Sequence, residues 1–310
     1  MKKIILRSAK WLLLLMGFFI GVEVFLRVTP FGIPSRMDVY GRRKSFSETA
    51  LKAPHFRIVC IGDSLTFGYK IKEDYAWPTL LGNRMRSIEG RQDIEVLNAG
   101  ITGHASAQVN ERLDRDVLAR HPDLVIVWIG LNDGWLVPVP DSEDRPRPFD
   151  RPSPFLFLET VNSFLSSDAL FRLAEKFRTD RESGILKARV PLEAFQSNIR
   201  RLCTSLKANA LDNTLFLSLP EVSSTFKRKR EGSDLQRKTL RIYDTMLSTL
   251  ANIRGFRVVR VAGMYLTKGP EIYKADGLHL NLKGNSALVD LIYPEVDKAL
   301  NSRSKIGLGS

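Results

Sequence analysis

The sequence has few cysteines and few histidines, which limits the kinds of site it can build. Its 310 residues include 2 cysteines and 4 histidines. Cys60 lies in an apolar run and Cys203 in a predicted helix, so we expect no disulfide framework. The His and Cys side chains are also too dispersed for the ligand spacing of a zinc site. We therefore expect no metal and no cofactor.

Acidic residues are also scarce relative to basic ones. The chain has 34 Asp and Glu against 47 Lys and Arg, a formal net charge of +13. Such an excess is typical of proteins that bind nucleic acid or an anionic membrane surface. The basic residues are scattered and accompany no nucleic-acid recognition motif. We expect no nucleic-acid partner and a solvated basic surface near anionic lipid.

A long apolar run near the start of the chain is a candidate membrane segment. Residues 11–22 are apolar and follow a basic head that contains Lys2, Lys3, Arg7 and Lys10. We interpret residues 1–28 as an N-terminal transmembrane anchor, with a cleaved signal peptide as the alternative. The basic head predicts a cytoplasmic amino terminus and places the rest of the protein on the extracytoplasmic (periplasmic or outer) face. Residues 29–54, rich in Pro, Gly, Ser and charge, are predicted to be a tether.

From residue 55 to residue 305, apolar strands and amphipathic helices alternate, which predicts one α/β domain with a parallel sheet wrapped by helices. The predicted strands are 56–61, 94–97, 124–129, 214–219 and 256–261, and the predicted helices are 75–88, 106–120, 192–206, 235–252 and 282–300. Residues 136–190 break this pattern with a Pro-rich run followed by Phe-rich sequence. They are too long for a simple connection. We expect either an insertion packed on the domain or a lid or membrane-facing flap that shapes the substrate pocket.

A candidate nucleophile, Ser64, follows the first predicted strand in the run Gly62-Asp63-Ser64-Leu65. Open α/β sheets carry their chemistry at the carboxyl ends of their strands. A serine needs a base, and His279 lies three residues after Asp276, which could hold the imidazole tautomer. His104 is the alternative base near the site. Read alone, each of these motifs is also compatible with ordinary turn chemistry.

Two further loops follow predicted strands and could supply donors for an oxyanion. The loop 98–103 ends at Gly103, whose backbone N–H no side chain would block, and the loop 130–133 contains the side-chain amide of Asn132. Because the carboxyl ends of parallel strands meet at one edge of a sheet, we expect both loops to lie near Ser64.

Taken in order, these four blocks resemble the SGNH (GDSL-type) hydrolase superfamily over roughly residues 56–300, and in particular its bacterial membrane-associated branch. The resemblance implies a flavodoxin-like three-layer α/β/α sandwich. It also implies that Ser64 is the nucleophile, His279 the base and Asp276 the acid. By the same resemblance, the N–H groups of Ser64 and Gly103 and the amide of Asn132 form the oxyanion hole. The insertion at 136–190 departs from the family pattern.

We therefore expect a serine esterase that hydrolyses or transfers acyl groups, with an O-acetyl or other O-acyl ester of a cell-envelope carbohydrate as substrate. A lysophospholipase or thioesterase acting on lipid acyl chains is one alternative. A catalytically silent, membrane-tethered binding or assembly factor is another, from a different class. The sequence contains no feature that predicts an oligomeric state.

Overall fold

The computed structural model describes residues 11, 14–25, 42, 43, 46, 56–89, 93–137, 186–224, 226 and 230–306. These residues fall in two units. One contains residues 11, 14–25, 42 and 43, and the other contains all the rest.

In the first unit, residues 14–25 are helical and carry large exposed apolar side chains, such as Phe18, which is 64% exposed. Among the described helices, none is both long and apolar enough to cross a membrane. The predicted anchor also includes residues 1–10, 12, 13 and 26–28, which lie outside the described residues.

The second unit is built on a five-stranded parallel sheet in the order β2-β1-β3-β6-β7. The strands along the chain are β1 (Phe56–Gly62), β2 (Ile94–Gly100), β3 (Leu124–Trp128), β4 (Leu136–Val137), β5 (Lys187–Ala188), β6 (Thr214–Leu217) and β7 (Arg257–Val259). Counted within the sheet, this order is the flavodoxin-like 2-1-3-4-5, and its switch point lies where the chain order reverses beside β1. Every residue of the central strand β3 is buried, as expected for a strand covered on both faces. The predicted parallel sheet is thereby confirmed.

Helices surround the sheet in two groups. They are α1 (Ser64–Phe67), α2 (Trp77–Glu89), α3 (Ser106–Glu111), α4 (Leu113–Asp116), α5 (Leu192–Ala208), α6 (Arg230–Ile253), α7 (Ala262–Lys268) and α8 (Leu282–Ile306), with short 3-10 turns at Glu73–Tyr75, Leu118–Arg120 and Pro270–Ile272. Helices α2 and α8 pack on each other, and α5 packs on both α3 and α6. Their apolar faces and the sheet form one continuous hydrophobic core.

The prediction of one continuous helix over residues 106–120 is wrong, because the structure divides this segment into α3, α4 and a 3-10 turn. Its predicted apolar stripe is correct, since Val109, Leu113 and Val117 are all buried. The first break falls at Arg112, whose φ of −106° and ψ of 5° are not helical. Its side chain binds carbonyls at the sheet edge, so a buried polar contact interrupts the regular helix.

Several other element boundaries differ from those predicted. Strand β2 continues to Gly100, three residues beyond the apolar run, and α6 begins at Arg230 instead of Leu235. The helix predicted from Tyr75 begins at Trp77, with Pro78 in its first turn, where a missing backbone donor costs nothing. These shifts leave the order of elements unchanged.

Two predicted segments are partly described. The ends of the 136–190 insertion form a small antiparallel sheet, in which β4 pairs with β5, and residues 138–185 lie outside the described residues. In the predicted tether, Phe46 is fully buried in the hydrophobic core, and the Arg120 guanidinium lies 4.6 Å from the centre of its ring. The hydrophobic core therefore includes Phe46, which precedes β1 in the sequence.

Candidate active site

Ser64 lies in a tight turn where β1 ends and α1 begins. Gly62 is the last residue of β1, and a Cβ atom there would lie 2.2 Å from the Thr66 hydroxyl and from the Trp128 carbonyl oxygen. Asp63 caps α1, because its Oδ1 accepts a hydrogen bond from Leu65 N–H at 2.9 Å. This packing fixes Ser64 at the carboxyl edge of the sheet, where it is 5% exposed.

The structure joins Ser64, His279 and Asp276 in one hydrogen-bonded chain. His279 Nε2 lies 2.9 Å from Ser64 Oγ, and His279 Nδ1 lies 3.0 Å from Asp276 Oδ2. The other carboxylate oxygen, Oδ1, accepts the backbone N–H groups of Leu278 at 3.0 Å and His279 at 2.9 Å. The three side chains are therefore arranged as a serine nucleophile, its base and an orienting acid would have to be.

The environment of Asp276 keeps its carboxyl group ionised. Partial burial alone would raise its pKa, but the hydrogen bonds and charge interaction with His279 and the backbone N–H bonds outweigh it and lower the pKa to about 2. An ionised carboxylate accepts the Nδ1 proton, which leaves Nε2 of His279 free to accept a proton from Ser64. The Tyr69 ring packs on the imidazole, with 4.7 Å between the ring centroids.

The predicted oxyanion donors lie on the loops after β1, β2 and β3. Within the described residues, neither the Ser64 N–H nor the Gly103 N–H has a hydrogen-bond partner, so both donors are available. Gly103 has a φ of 84°, in the left-handed region that glycine adopts without strain. The Asn132 amide lies between the two loops, donating to His104 O at 3.0 Å and to Asp63 Oδ2 at 3.3 Å. To donate to an oxyanion, Asn132 must give up the longer bond to Asp63.

His104, the alternative base predicted from the sequence, makes no ring hydrogen bond to Ser64. Its Nδ1 atom is buried without a partner. Burial lowers the pKa of this imidazole well below its usual range, and the nearby positive charges of Arg112 and Arg189 act in the same direction. The backbone carbonyl of His104 contributes instead, by holding Asn132. Of the other two histidines, His55 lies outside the described residues and His121 follows the 3-10 turn Leu118–Arg120.

A buried arginine that sequence reasoning missed links the carboxyl ends of β1 and β2. Arg112 is 4% exposed and donates to Gly62 O at 2.7 Å and to Ala99 O at 2.6 Å. Its charge is balanced by Asp116 at 2.9 Å, which is fully buried. The signal for it was present in the sequence, because Arg112 and Asp116 are oppositely charged neighbours at i and i+4 beside an apolar stripe.

Two buried carboxyl groups flank the Asn132 turn. Burial raises the pKa of Asp63 to about 7, with the Asp133 carboxylate adding to the effect and the Leu65 N–H and Arg112 opposing it. Burial also raises the pKa of Asp133 to about 6 against the hydrogen bonds from Ser106. Asp133 accepts the Ser106 N–H at 3.0 Å and its hydroxyl at 2.5 Å, which fixes the start of α3 to this turn. Sequence reasoning named neither role.

No group of three or more His, Cys, Asp or Glu side chains that could hold a metal ion occurs within the part of the chain that the structure describes. Both cysteines are buried and unpaired, so neither forms a disulfide.

Comparison with known families and proteins gives consistent matches. The model of the GDSL-like Lipase/Acylhydrolase family matches residues 60–287. An arylesterase from Vibrio mimicus is 35% identical over 78 residues, which cover 25% of this chain and 38% of the relative. A thioesterase 1/protease 1/lysophospholipase L1 from Escherichia coli K12 is 36% identical over 77 residues, 25% of this chain and 35% of the relative. The chain thus spans little more than a third of the length of these relatives.

Solved structures share the fold at low sequence identity. The enzyme LAE5, described as an alpha/beta hydrolase from the metagenome of Lake Arreo, has a TM-score of 0.53 at 19% identity, covering 78% of this chain and 95% of its own. An acetyl xylan esterase from Geobacillus stearothermophilus has a TM-score of 0.52 at 17% identity, covering 79% and 95%. These likenesses support the sheet order and the arrangement of layers described above.

Proposed function

Since this chain belongs to the GDSL-like lipase/acylhydrolase family, we propose that it is a serine esterase whose nucleophile, base and acid are Ser64, His279 and Asp276. The observation that carries the proposal is the contact of 2.9 Å between Ser64 Oγ and His279 Nε2, with Asp276 bonded to the opposite ring nitrogen. This contact joins residues 215 positions apart in sequence, at the edge of the sheet where such folds place their sites.

The proposed reaction has two steps. Ser64 Oγ attacks the ester carbonyl carbon while its proton passes to His279 Nε2, and the carbonyl oxygen becomes an oxyanion. His279 then gives that proton to the departing alcohol oxygen, and the acyl–Oγ bond remains. Water attacks the acyl-enzyme, His279 takes the proton from the water and returns it to Ser64 Oγ, and the carboxylic acid leaves. Asp276 holds the ring and stabilises its charged form throughout.

The oxyanion is proposed to bind the free N–H groups of Ser64 and Gly103 and the Asn132 amide. The first two have no hydrogen-bond partner among the residues that the structure describes, and the Asn132 amide donates one of its hydrogens to His104 O. Removing a single donor of this kind costs about 10²- to 10³-fold in kcat. Recruiting Asn132 to the oxyanion breaks only the longer of its two hydrogen bonds, the one to Asp63.

For the substrate, we propose an O-acetyl ester of a carbohydrate, with the cell envelope as its source. An acetyl xylan esterase shares the fold, and Ser64 lies in a turn where it is 5% exposed, which favours a small acyl group. The second candidate is a lipid acyl ester or thioester. It is favoured by the thioesterase and lysophospholipase relative and by the exposed apolar side chains of residues 14–25.

A panel of p-nitrophenyl esters from acetate to dodecanoate, together with an acetylated oligosaccharide and a lysophospholipid, tests both substrate candidates. We expect kcat/KM to be greatest for acetyl esters, and a preference for octanoyl or longer chains would favour the lipid alternative. Ser64→Ala, measured in parallel, should lose turnover of every ester while retaining its circular dichroism spectrum. Turnover by Ser64→Ala at the wild-type rate would contradict the serine mechanism itself.

We also propose that residues 1–28 tether the protein to a membrane with its catalytic domain outside the cytoplasm. The basic head before an apolar run supports this orientation, and the exposed apolar surface of residues 14–25 supports the contact with a membrane. Fractionation of cells expressing the full chain, followed by protease treatment of intact spheroplasts, tests it. The proposal is wrong if the catalytic domain is found free in the cytoplasmic fraction.

A further inference from the structure

The insertion returns to the domain directly beside the candidate active site. Arg189 follows β5, and its backbone N–H donates to Trp135 O at 2.7 Å. The next residue, Val190, donates its N–H to Asp133 O at 3.0 Å. These two bonds align the returning chain with the turn that carries Asn132. The end of the insertion is therefore fixed to one of the loops that flank Ser64.

The side chain of Arg189 extends from this point to a second loop of the site. Arg189 is 8% exposed, and its Nη1 donates to the Gly103 carbonyl oxygen at 2.6 Å, across 86 positions of sequence. A charge-assisted hydrogen bond of this length is stronger than a neutral one. The guanidinium also contributes to lowering the pKa of both His104 and Asp133, so its charge lies within the cluster around the oxyanion loop.

Gly103 depends on hydrogen bonds for its conformation, because little else restrains it. A Cβ atom placed on Gly103 would have nothing within 4 Å, so no side chain or backbone packs against this face of the residue. Glycine adopts positive and negative φ with similar ease, and sterics therefore do not fix its value of 84°. On one side the loop is held by Ile101 N–H, which donates to Gly62 O at 3.0 Å. His104 N–H makes only a long bond of 3.3 Å to Ile101 O.

We propose that Arg189 is a positioning residue: by binding the Gly103 carbonyl oxygen it anchors the Gly103–His104 peptide and restricts the backbone torsions of Gly103, so that the Gly103 N–H, on the preceding peptide, keeps its direction toward the oxyanion of the reaction. This inference rests on the proposed serine esterase function. It gives Arg189, at the returning end of the insertion, a role in the proposed catalytic site. Without Arg189, the torsions of Gly103 would be less restricted and its N–H would sample several directions, and the cost would fall on the transition state more than on substrate binding.

The test compares Arg189→Met with the wild type on p-nitrophenyl acetate. We expect kcat to fall by about 10- to 100-fold, which is no more than the fall expected when an oxyanion-hole donor is removed completely. KM should change by less than about threefold. Arg189→Lys, which keeps a charged donor but not the guanidinium geometry, should recover part of kcat. Lys187→Met is the matched control. Lys187 is exposed on β5 two residues away, so the control removes the same charge and should leave kcat unchanged.

A tetrahedral inhibitor supplies the readout that a purely structural role would not change. An alkylboronic acid forms a tetrahedral anion with a serine hydroxyl, so its binding reports on the oxyanion hole. Its Ki should rise in Arg189→Met by the same factor as kcat/KM falls, while inhibition by the product alcohol stays constant. A folded Arg189→Met variant with wild-type kcat or wild-type Ki overturns the inference.

Two further variants keep the experiment decisive. If Arg189→Met does not fold, Arg189→Gln is measured by the same two readouts, and wild-type kcat there overturns the inference. Ser64→Ala separates this inference from the function on which it rests. An active Ser64→Ala enzyme contradicts the proposed esterase mechanism, whereas an inactive Ser64→Ala enzyme with fully active Arg189→Met contradicts the role of Arg189 alone.

Discussion

The two halves of the candidate active site are held in different ways. The loops around Ser64 are joined by buried hydrogen bonds between distant parts of the chain, such as Arg112 to Gly62 O across 50 residues and Asn132 to Asp63 across 69. The loop that carries the base is shaped mainly by its own residues. Asp276 bonds residues two and three positions away, and its side chain is 36% exposed.

Because the two halves are held differently, we expect substitutions in them to affect stability and catalysis to different extents. Changes near Ser64 disturb buried charges that also hold the ends of β1 and β2 together, so they should reduce both stability and activity. Changes in the base loop remove groups that few other elements depend on, so they should reduce activity alone. The three predictions that follow test this contrast, in order of expected effect.

The largest effect is expected in the base loop. His279→Ala removes the proton acceptor of Ser64, and we expect kcat for p-nitrophenyl acetate to fall by about 10³-fold or more. The free energy of unfolding should change by less than about 1 kcal/mol, because His279 bonds mainly within its own loop and contacts other loops through Ser64 and Tyr69. Urea denaturation and steady-state kinetics measure the two quantities. His121→Asn is the control, since Asn tolerates the φ of 48° at this exposed position and should retain full activity. A large loss of stability in His279→Ala would contradict the proposed difference between the two halves of the site.

An intermediate effect is expected at Arg112. Arg112→Met removes one of the positive charges that partner the buried carboxylate of Asp116 and leaves the carbonyls of Gly62 and Ala99 without this donor. We expect the free energy of unfolding to fall by about 2–4 kcal/mol and kcat to fall with it. Lys298→Met removes an exposed ion pair with Glu295 and should cost less than about 0.5 kcal/mol. Equal stability of the two variants in urea would show that the buried link is not structurally important.

The smallest effect is a dependence on pH at Asp63. Its folded-state pKa of about 7 lies above its usual value of 3.8, so the folded protein retains a proton that the unfolded chain releases. Titration of Asp63 should therefore lower the stability of the wild type as the pH rises from about 4 to 7. Asp63→Asn can keep the N-cap of α1 but does not titrate, so its stability relative to the wild type should rise by about 1–4 kcal/mol over this range. Urea titrations at pH 4, 5.5 and 7 measure it, and parallel curves would contradict the assignment.

The sequence predicted the parts of the site that are carried by short local patterns. Ser64 follows a buried strand, and Asp276 precedes His279 by the spacing needed to hold a ring, so both patterns are visible in a few residues. The parallel sheet followed from the alternation of apolar runs with amphipathic segments. These features could be predicted because each leaves a pattern within a few residues of sequence; the parallel sheet is confirmed, and the roles of Ser64, Asp276 and His279 stay predictions.

The contacts that tie the site together were not predictable in this way. Arg112 and Arg189 both bind backbone carbonyls, and every residue has a backbone carbonyl, so no side-chain pattern identifies the acceptor. The break in the helix at Arg112 follows from the same contact. Asn132 was predicted as a donor, but its bond to Asp63 depends on the packing of two loops 69 residues apart.

Labelling with a fluorophosphonate tests the central claim most directly, because this reagent phosphonylates a serine only when a base activates the hydroxyl. Mass spectrometry of the full chain after a short incubation should show a single adduct on the peptide that contains Ser64. The adduct should be absent in Ser64→Ala and formed much more slowly in His279→Ala. A wild-type protein that stays unlabelled, or that is labelled at the same rate without His279, would contradict the account.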